Sequence, residues 1–258
     1  LSESTVWAKK GHEVAWAQFK MPFEVPPGPV LVAQNMTAVR LDEIEAQITV
    51  IGADFRIVFS KETGKIMSLK HRRSELVKSG PVLNVWRAPT DNDVPRLAPK
   101  WHSFGLDRVE HRVKSVRALR VSPQVVQVVV MSLVRAPDVA EGFDCQYTYT
   151  VYGSGDIVIE TDITPSLKIP SLPRIGLQMN LPEKYNVFTW YGRGPHENYC
   201  DRREGAPVGV YRGTVSEQFM SYIKPQENGN KTDVRWASLT DGKGAGLLVV
   251  GMPLMEAN

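Results

Sequence analysis

Only two cysteines, Cys145 and Cys200, occur in 258 residues, too few and too far apart for a metal-binding or disulfide framework. Both are expected as free thiols in a reducing compartment. Long apolar runs are absent as well: the most apolar stretch near the end, Gly246 to Met255, falls short of the roughly 20 residues a membrane span needs. The chain opens LSESTVWAKKG, with no basic segment leading into an apolar one, so no secretory leader is expected. No run of five like charges occurs, and 31 basic residues against 28 acidic ones leave a formal charge of +3. That excess is too small to direct the chain to nucleic acid or a membrane surface. Capped amphipathic runs of helical length are also missing, and 18 prolines with 20 glycines interrupt the chain at short intervals.

What is present is an apolar fraction of 42%, enough to bury one large β domain, with strand periodicity almost throughout. Ile48 to Phe59, ITVIGADFRIVF, alternates on both sides of Gly52 to Asp54 and reads as a hairpin or bulged strand. Val121 to Val134 is rich in β-branched residues and reads as one strand buried on both faces. Tyr147 to Tyr152 and the later IVIETDI read as two strands joined by the tight turn GSGD. His71, Arg72 and Arg73 form the densest basic patch and read as a solvated turn. Lys70 to Lys78 and Asp107 to Ser115 are the two segments that could be short helices.

Trp7 to Phe19, WAKKGHEVAWAQF, reads as a turn and then a strand with Val14 and Trp16 pointing one way. A single strand cannot fold alone. The following Pro22, Pro26, Pro27 and Pro29 impose an extended linker. Residues 1–22 are therefore expected as the tail of a preceding β-sandwich domain, 23–45 as linker, and 46–258 as one β domain. GLLVVGMPLMEAN stops just after a buried-strand pattern, so that domain is expected to be cut short at its C-terminus.

Three segments crowd functional side chains together: NVWRAPTDND (Asn84 to Asp93), WYGRGPHENYCD (Trp190 to Asp201) and YIKPQENGNKTDVRW (Tyr222 to Trp236). In the second, His196, Glu197 and Asn198 offer donors and acceptors suited to sugar hydroxyls, and Tyr199 offers an aromatic face to a pyranose ring. The competing reading is structural. Gly192, Gly194 and Pro195 shape a turn, Glu197 and Asn198 satisfy loop backbone groups, and Arg193 or Arg202 pairs with a carboxylate. In the first segment Asp91, Asn92 and Asp93 present oxygens in a row that a hard cation would accept. The row lacks the glycine and distal glutamate of a helix-loop-helix calcium site, and an Asx-type turn is expected instead. Asn228-Gly229 marks a turn, and Glu227 and Asn228 read as turn and interface residues. Trp86, Trp190 and Trp236 read as core or interface.

The order WAKKGHEVAWAQF, LNVWRAPTDND, WYGRGPHENYCDR, YIKPQENGNKTDVRW resembles the C-terminal part of the large bacterial β-galactosidases of glycoside hydrolase family two. The resemblance covers most of the chain. It implies the small-chain domain of those enzymes, an all-β antiparallel β-supersandwich similar to galactose mutarotase folds, with the first strand closing an immunoglobulin-like domain. It implies a parent that hydrolyses terminal β-D-galactosides with retention, using two glutamates on an α/β barrel and a magnesium ion, all outside this chain. No alternating strand and helix pattern exists here to build such a barrel. Glu197 and Glu227 are the only glutamates in motif context, and neither is expected to be catalytic.

The resemblance places Val94 to Phe104 near bound substrate, with Trp101 and His102 facing sugar or packing the loop. The expected partners are the barrel and other domains of the parent chain, a galactoside and further copies of the parent, in the cytoplasm or alternatively the periplasm. A freestanding carbohydrate-binding module is a different reading. A mutarotase-like enzyme is another. It would need a histidine and a glutamate facing across the sandwich, which His196 and Glu197, adjacent in sequence, fit poorly, leaving His102 or His111 with a distant glutamate.

Overall fold

A computed structural model of the chain describes residues 1–26 and 32–258. Six strands come first: β1 (Arg40–Glu43), β2 (Gln47–Ile51), β3 (Phe55–Ser60), β4 (Ile66–His71), β5 (Ser74–Val77) and β6 (Ser79–Asn84). Short turns make β1 to β4 pair in sequence order, all antiparallel. The β2–β3 pair is the hairpin expected at Ile48 to Phe59. A helix, α1 (Ala98–Ser103), precedes the second sheet of β7 (Glu110–Ser122), β8 (Val125–Arg135), β9 (Phe143–Tyr152) and β10 (Ile157–Pro165), which pair in sequence order. β11 (Gly176–Asn180) then returns to the first sheet beside β6. The third sheet holds β12 (Val187–Arg193), β13 (Val208–Thr214), β14 (Lys231–Thr240) and β15 (Gly246–Ala257) in the order β13-β12-β14-β15.

The first two sheets bury one core between them. The period of two sends Val126, Val128, Val130 and Val134 of β8 and Tyr147, Tyr149 and Val151 of β9 inward, into one cluster with Ile48, Val50, Ile57 and Phe59. Each such side chain removed from water contributes about 1.5–3 kcal/mol. Phe59 and Tyr149 meet edge to face with centroids 5.1 Å apart. The buried phenols are paired, since Tyr147 accepts from the Leu83 N–H at 3.0 Å and Tyr149 donates to the Pro81 carbonyl at 3.4 Å. This is the all-β class that the strand periodicity predicts, in the antiparallel sandwich arrangement that the resemblance implies. No helix among the described residues is long and apolar enough to cross a membrane.

Several local expectations are corrected. Val121 to Val134 is not one strand: Val121 lies in β7, Pro123 and Gln124 turn the chain, and Ser122 faces Val125 across the hairpin. β8 is fully buried on one face only, its alternate residues being partly exposed. Lys70 to Lys78 is the β4–β5 hairpin, with the basic patch at its turn and Arg72 in left-handed backbone at φ 52°. Asp107 to Ser115 makes one 3₁₀ turn at Leu106–Arg108 and then enters β7. In both places ladder bonds to neighbouring strands override weak helical preference. The α-helix found among the described residues instead lies inside Val94 to Phe104, with Pro99 in its first turn.

The expected strand after Gly11 does not form, for want of a neighbouring backbone ladder; Val14, Trp16 and Phe19 are exposed. Gln18 instead turns its side-chain amide onto β13, accepting from the Val208 N–H and donating to the Val208 carbonyl, each at 2.7 Å. β1 lies within the stretch expected as linker, so the first sheet begins at Arg40. Pro27 and Pro29 of that linker lie outside the described residues.

Candidate functional site

β12 delivers the second motif to the end of the third sheet. Gly192 is required there because a Cβ would lie 2.9 Å from the Val234 side chain and 3.0 Å from its Cα on β14. Gly194 lies against the face of Tyr211, which a Cβ would meet at 2.6 Å. The chain then turns inward, leaving His196 exposed and burying Glu197 (4% exposed) and Asn198 (0%).

Every polar atom of the Asn198 side chain is engaged. Its Oδ1 accepts from the Thr232 N–H at 2.8 Å and the Thr232 hydroxyl at 2.6 Å, and its Nδ2 donates to the His196 carbonyl at 3.0 Å. The backbones are joined too: Asn198 N–H donates to the Asn230 carbonyl at 2.8 Å, and Asn230 Nδ2 returns a bond to the Asn198 carbonyl at 3.0 Å.

Glu197 accepts from Arg202 and the Tyr222 hydroxyl on Oε1 and from the Gly229 N–H at 2.7 Å on Oε2. Burial pushes this carboxyl up, but the bonds from Tyr222, Gly229 and Arg202 outweigh it and hold it below the ordinary carboxylate value. Tyr199 places its ring under the Arg202 guanidinium at 4.8 Å. Its buried hydroxyl completes no hydrogen bond of good geometry, although the Asn230 backbone is nearby. Burial and the Glu197 charge push that phenol up to about 12.

Two arginines frame the bulged start of β14. Arg193 Nε and Arg203 Nη1 hold the two carboxylate oxygens of Asp233 at 2.5 and 3.2 Å, and Asp233 itself has φ 53°. Arg193 also donates to the carbonyls of Arg203 and Ala206, both at 3.1 Å. Lys231, 1% exposed, donates to the Gly229 carbonyl at 3.0 Å and lies 5.1 Å over the Trp190 ring. Burial lowers its pKa, and the negative charge of Glu197 opposes that shift.

The third motif supplies the facing loop. Gly229 turns it at φ 85°, Asn228 Oδ1 accepts from the Met220 N–H at 3.0 Å, and Glu227 pairs with Arg174. The first motif joins here through Asp91, whose N–H donates to Gln226 Oε1 at 3.4 Å and whose carboxylate lies 3.6 Å from Lys224. Asp91 and Asn92 are exposed. Asp93 is buried and accepts from the Thr90 N–H and hydroxyl, both at 2.8 Å, and from Arg87 at 2.7 Å. The Thr90 bonds reach back three residues across a turn that the Asp93 N–H closes on the Thr90 carbonyl at 3.0 Å, whereas an Asx-type turn would reach forward. Burial raises the Asp93 carboxyl, and Arg87 with Thr90 lowers it by more.

Trp101 lies in the core at 1% exposure, donating to the Ser171 carbonyl at 2.8 Å with Arg87 5.3 Å over its ring. It presents no open face, so of its two readings, facing sugar or packing the loop, its burial fits packing. His102 is exposed, 2.9 Å from Asp107 and beside Trp86.

The structure therefore brings the three motifs to one place, with two open depressions beside them. One, of about 400 Å³, is lined by His196, Glu197 and Cys200 to Gly205; the other, of about 350 Å³, by Asp91, Tyr222, Ile223, Lys224 and Gln226. Among the described residues no three His, Cys, Asp or Glu side chains converge as a metal would need. Glu197 does not suit a general acid, which needs a raised pKa. It suits a nucleophile equally poorly, because both its oxygens already accept bonds.

The sequence reading does not single out Tyr222, Thr232 or Arg174. Tyr222 and Thr232 lie within the third motif, but nothing local marks Arg174, 53 residues from its partner Glu227.

The family model described as Beta galactosidase small chain matches residues 51–257. The chain belongs to this family. It is 40% identical to a beta-galactosidase of Priestia megaterium, over all of this chain and 24% of that relative. It is 35% identical to a beta-galactosidase of Lactobacillus delbrueckii subsp. bulgaricus, over 95% of this chain and 23% of the relative. With the beta-galactosidase of Kluyveromyces lactis the identity is 31%, over 94% of this chain and 24% of the relative. The chain thus spans about a quarter of the length of the curated relatives it matches. As a small-chain family member it carries the interlocked loops built on Glu197 and Asn198, with His196, Asp91, Tyr222 and Lys224 open to solvent around them.

Proposed function

We propose that the chain is the noncatalytic C-terminal portion of a β-galactosidase, walling the active site of the parent enzyme and supporting its assembly. The observation that carries this is the convergence of the three motif loops: Glu197 and Asn198 fasten the second to the third, and Asp91 brings in the first. Loops held so tightly make a rigid wall. The parent reaction is hydrolysis of terminal β-D-galactosides with retention, which needs two carboxyl groups about 5–5.5 Å apart. That pair, and the magnesium ion, belong to parts of the parent outside this chain. Of the candidate residues, His102, His196, Asp91 and Asn92 are exposed and available to face a galactoside, whereas Arg193, Glu197, Asn198, Asp93 and Tyr199 act by holding the loops. Residues 1–22 are the tail of a preceding β-sandwich domain, and the parent is a homo-oligomer of the cytoplasm.

The second reading, a freestanding carbohydrate-binding module, draws on the two open depressions beside His196 and Tyr222. One titration separates the two: amide NMR shifts of the isotope-labelled chain with added galactose. The active-site wall predicts no shifts up to tens of millimolar galactose and no galactosidase activity from the chain by itself. Saturable shifts centred on His196 to Tyr199 would instead establish the module.

A further inference from the structure

We propose that residues 215–226 form a preformed docking surface for the part of the parent protein lying outside this chain. The inference rests on reading the chain as about a quarter of a longer enzyme. Val215, Phe219, Met220 and Ile223 are all exposed, Phe219 at 68% and Ile223 at 104%. A loop free to choose would turn such side chains inward, since each gains free energy by leaving water.

This segment is not free to choose. The Thr214 N–H donates to Glu217 at 2.6 Å, Gln218 Nε2 donates to the Thr214 carbonyl at 3.0 Å, and Met220 N–H donates to Asn228 at 3.0 Å. Further on, the Tyr222 hydroxyl is held by Glu197 and Arg202, and Lys224 pairs with Asp91. Polar bonds thus fix the backbone while the apolar groups point outward. Aromatic and aliphatic anchors, rimmed here by Lys224, Asp91 and Arg202, are the composition of a protein interface core. A surface fixed beforehand loses little conformational entropy when it is covered.

The occupant follows from length and position. The Priestia megaterium relative has all but 24% of its length outside the matched segment, so covering mass is available in the same chain at high effective concentration. The patch also borders the depression lined by Asp91, Tyr222, Ile223, Lys224 and Gln226, so whatever covers it closes over the candidate site. The outer residues of β15, Leu248, Val250, Met252 and Leu254, are also exposed, but none of them lines either depression.

Hydroxyl-radical footprinting of the full-length parent and of this chain, read at Phe219, Met220 and Ile223, tests the assignment. Buried Trp101 and Tyr149 report that both are folded. Oxidation of the three residues should fall about fivefold or more in the parent. Equal oxidation in the two overturns the proposal. So does protection in this chain that grows with its own concentration, since the occupant is then a second copy. In parallel, Phe219→Ser with Ile223→Ser should lower the melting temperature of the parent and leave that of this chain unchanged; no change in the parent also overturns it. Galactoside hydrolysis is read separately. A parent that protects the patch but hydrolyses nothing defeats the enzymatic reading and keeps the docking surface, and an active parent with the patch open does the reverse.

Discussion

Asn198 and Thr232 close two loops on one another: the Asn198 Oδ1 accepts both the N–H and the hydroxyl of Thr232, at 2.8 and 2.6 Å, and both residues are buried. Asn198→Ala strands these two donors away from water, at about 1–3 kcal/mol for each unsatisfied group. Urea unfolding should show a loss of about 2–4 kcal/mol with an unchanged slope. A loss under about 0.5 kcal/mol would mean the loops do not depend on this amide.

Glu197 makes stability depend on acid. Its folded pKa lies below the ordinary value of 4.5 because the bonds from Tyr222, Gly229 and Arg202 outweigh burial. The stabilisation is therefore present above about 4.5 and is lost as pH falls through the folded value. Glu197→Gln should narrow the gap in urea midpoint between about pH 7 and about pH 3 relative to the unaltered chain. Because Asp93 and Asp107 are also lowered, the difference between the two chains is the quantity to read. Parallel profiles would show that the carboxylate is not held as described.

Lys231 gives the same sign of pH dependence for the opposite reason, because burial disfavours its charged form. Burial lowers its folded pKa below 10.5, so the unfolded chain binds more protons and stability rises with pH through the interval between the two values. Lys231→Met keeps the apolar stem against Trp190 and removes the buried charge. The expected outcome is a gain of about 1 kcal/mol and a flatter profile on the alkaline side. A loss of that size would show that attraction to Glu197 exceeds the cost of burial.

The two thiols should separate in a reagent assay. Cys200 is exposed, whereas Cys145 is buried and its thiol is pushed up to about 11 by that burial. A disulfide reagent near neutral pH should label about one thiol in the native chain and both after unfolding. Rapid labelling of both in the native chain would contradict the packing of β9.

The sequence by itself determined the strand periodicity, the all-β class and the identity of the three motif segments, because alternation and residue chemistry are local properties. Ile48 to Phe59 could be read as a hairpin since its apolar residues and its turn lie within one short stretch. Lys70 to Lys78 could not, because its weak helical preference gives way to ladders with β3 and β5 that no local pattern announces. The same division runs through the site. Glu197 and Asn198 were legible as polar residues of a dense motif, but their partners Tyr222, Gly229 and Thr232 lie 25, 32 and 34 residues away. Trp101 reads as well for a sugar platform as for core until Ser171, 70 residues on, takes its indole N–H. Only the tertiary structure decided which motif side chains are buried as fastenings and which remain open. Burial and hydrogen-bond satisfaction depend on neighbours brought together by folding, and a position in the sequence does not specify them.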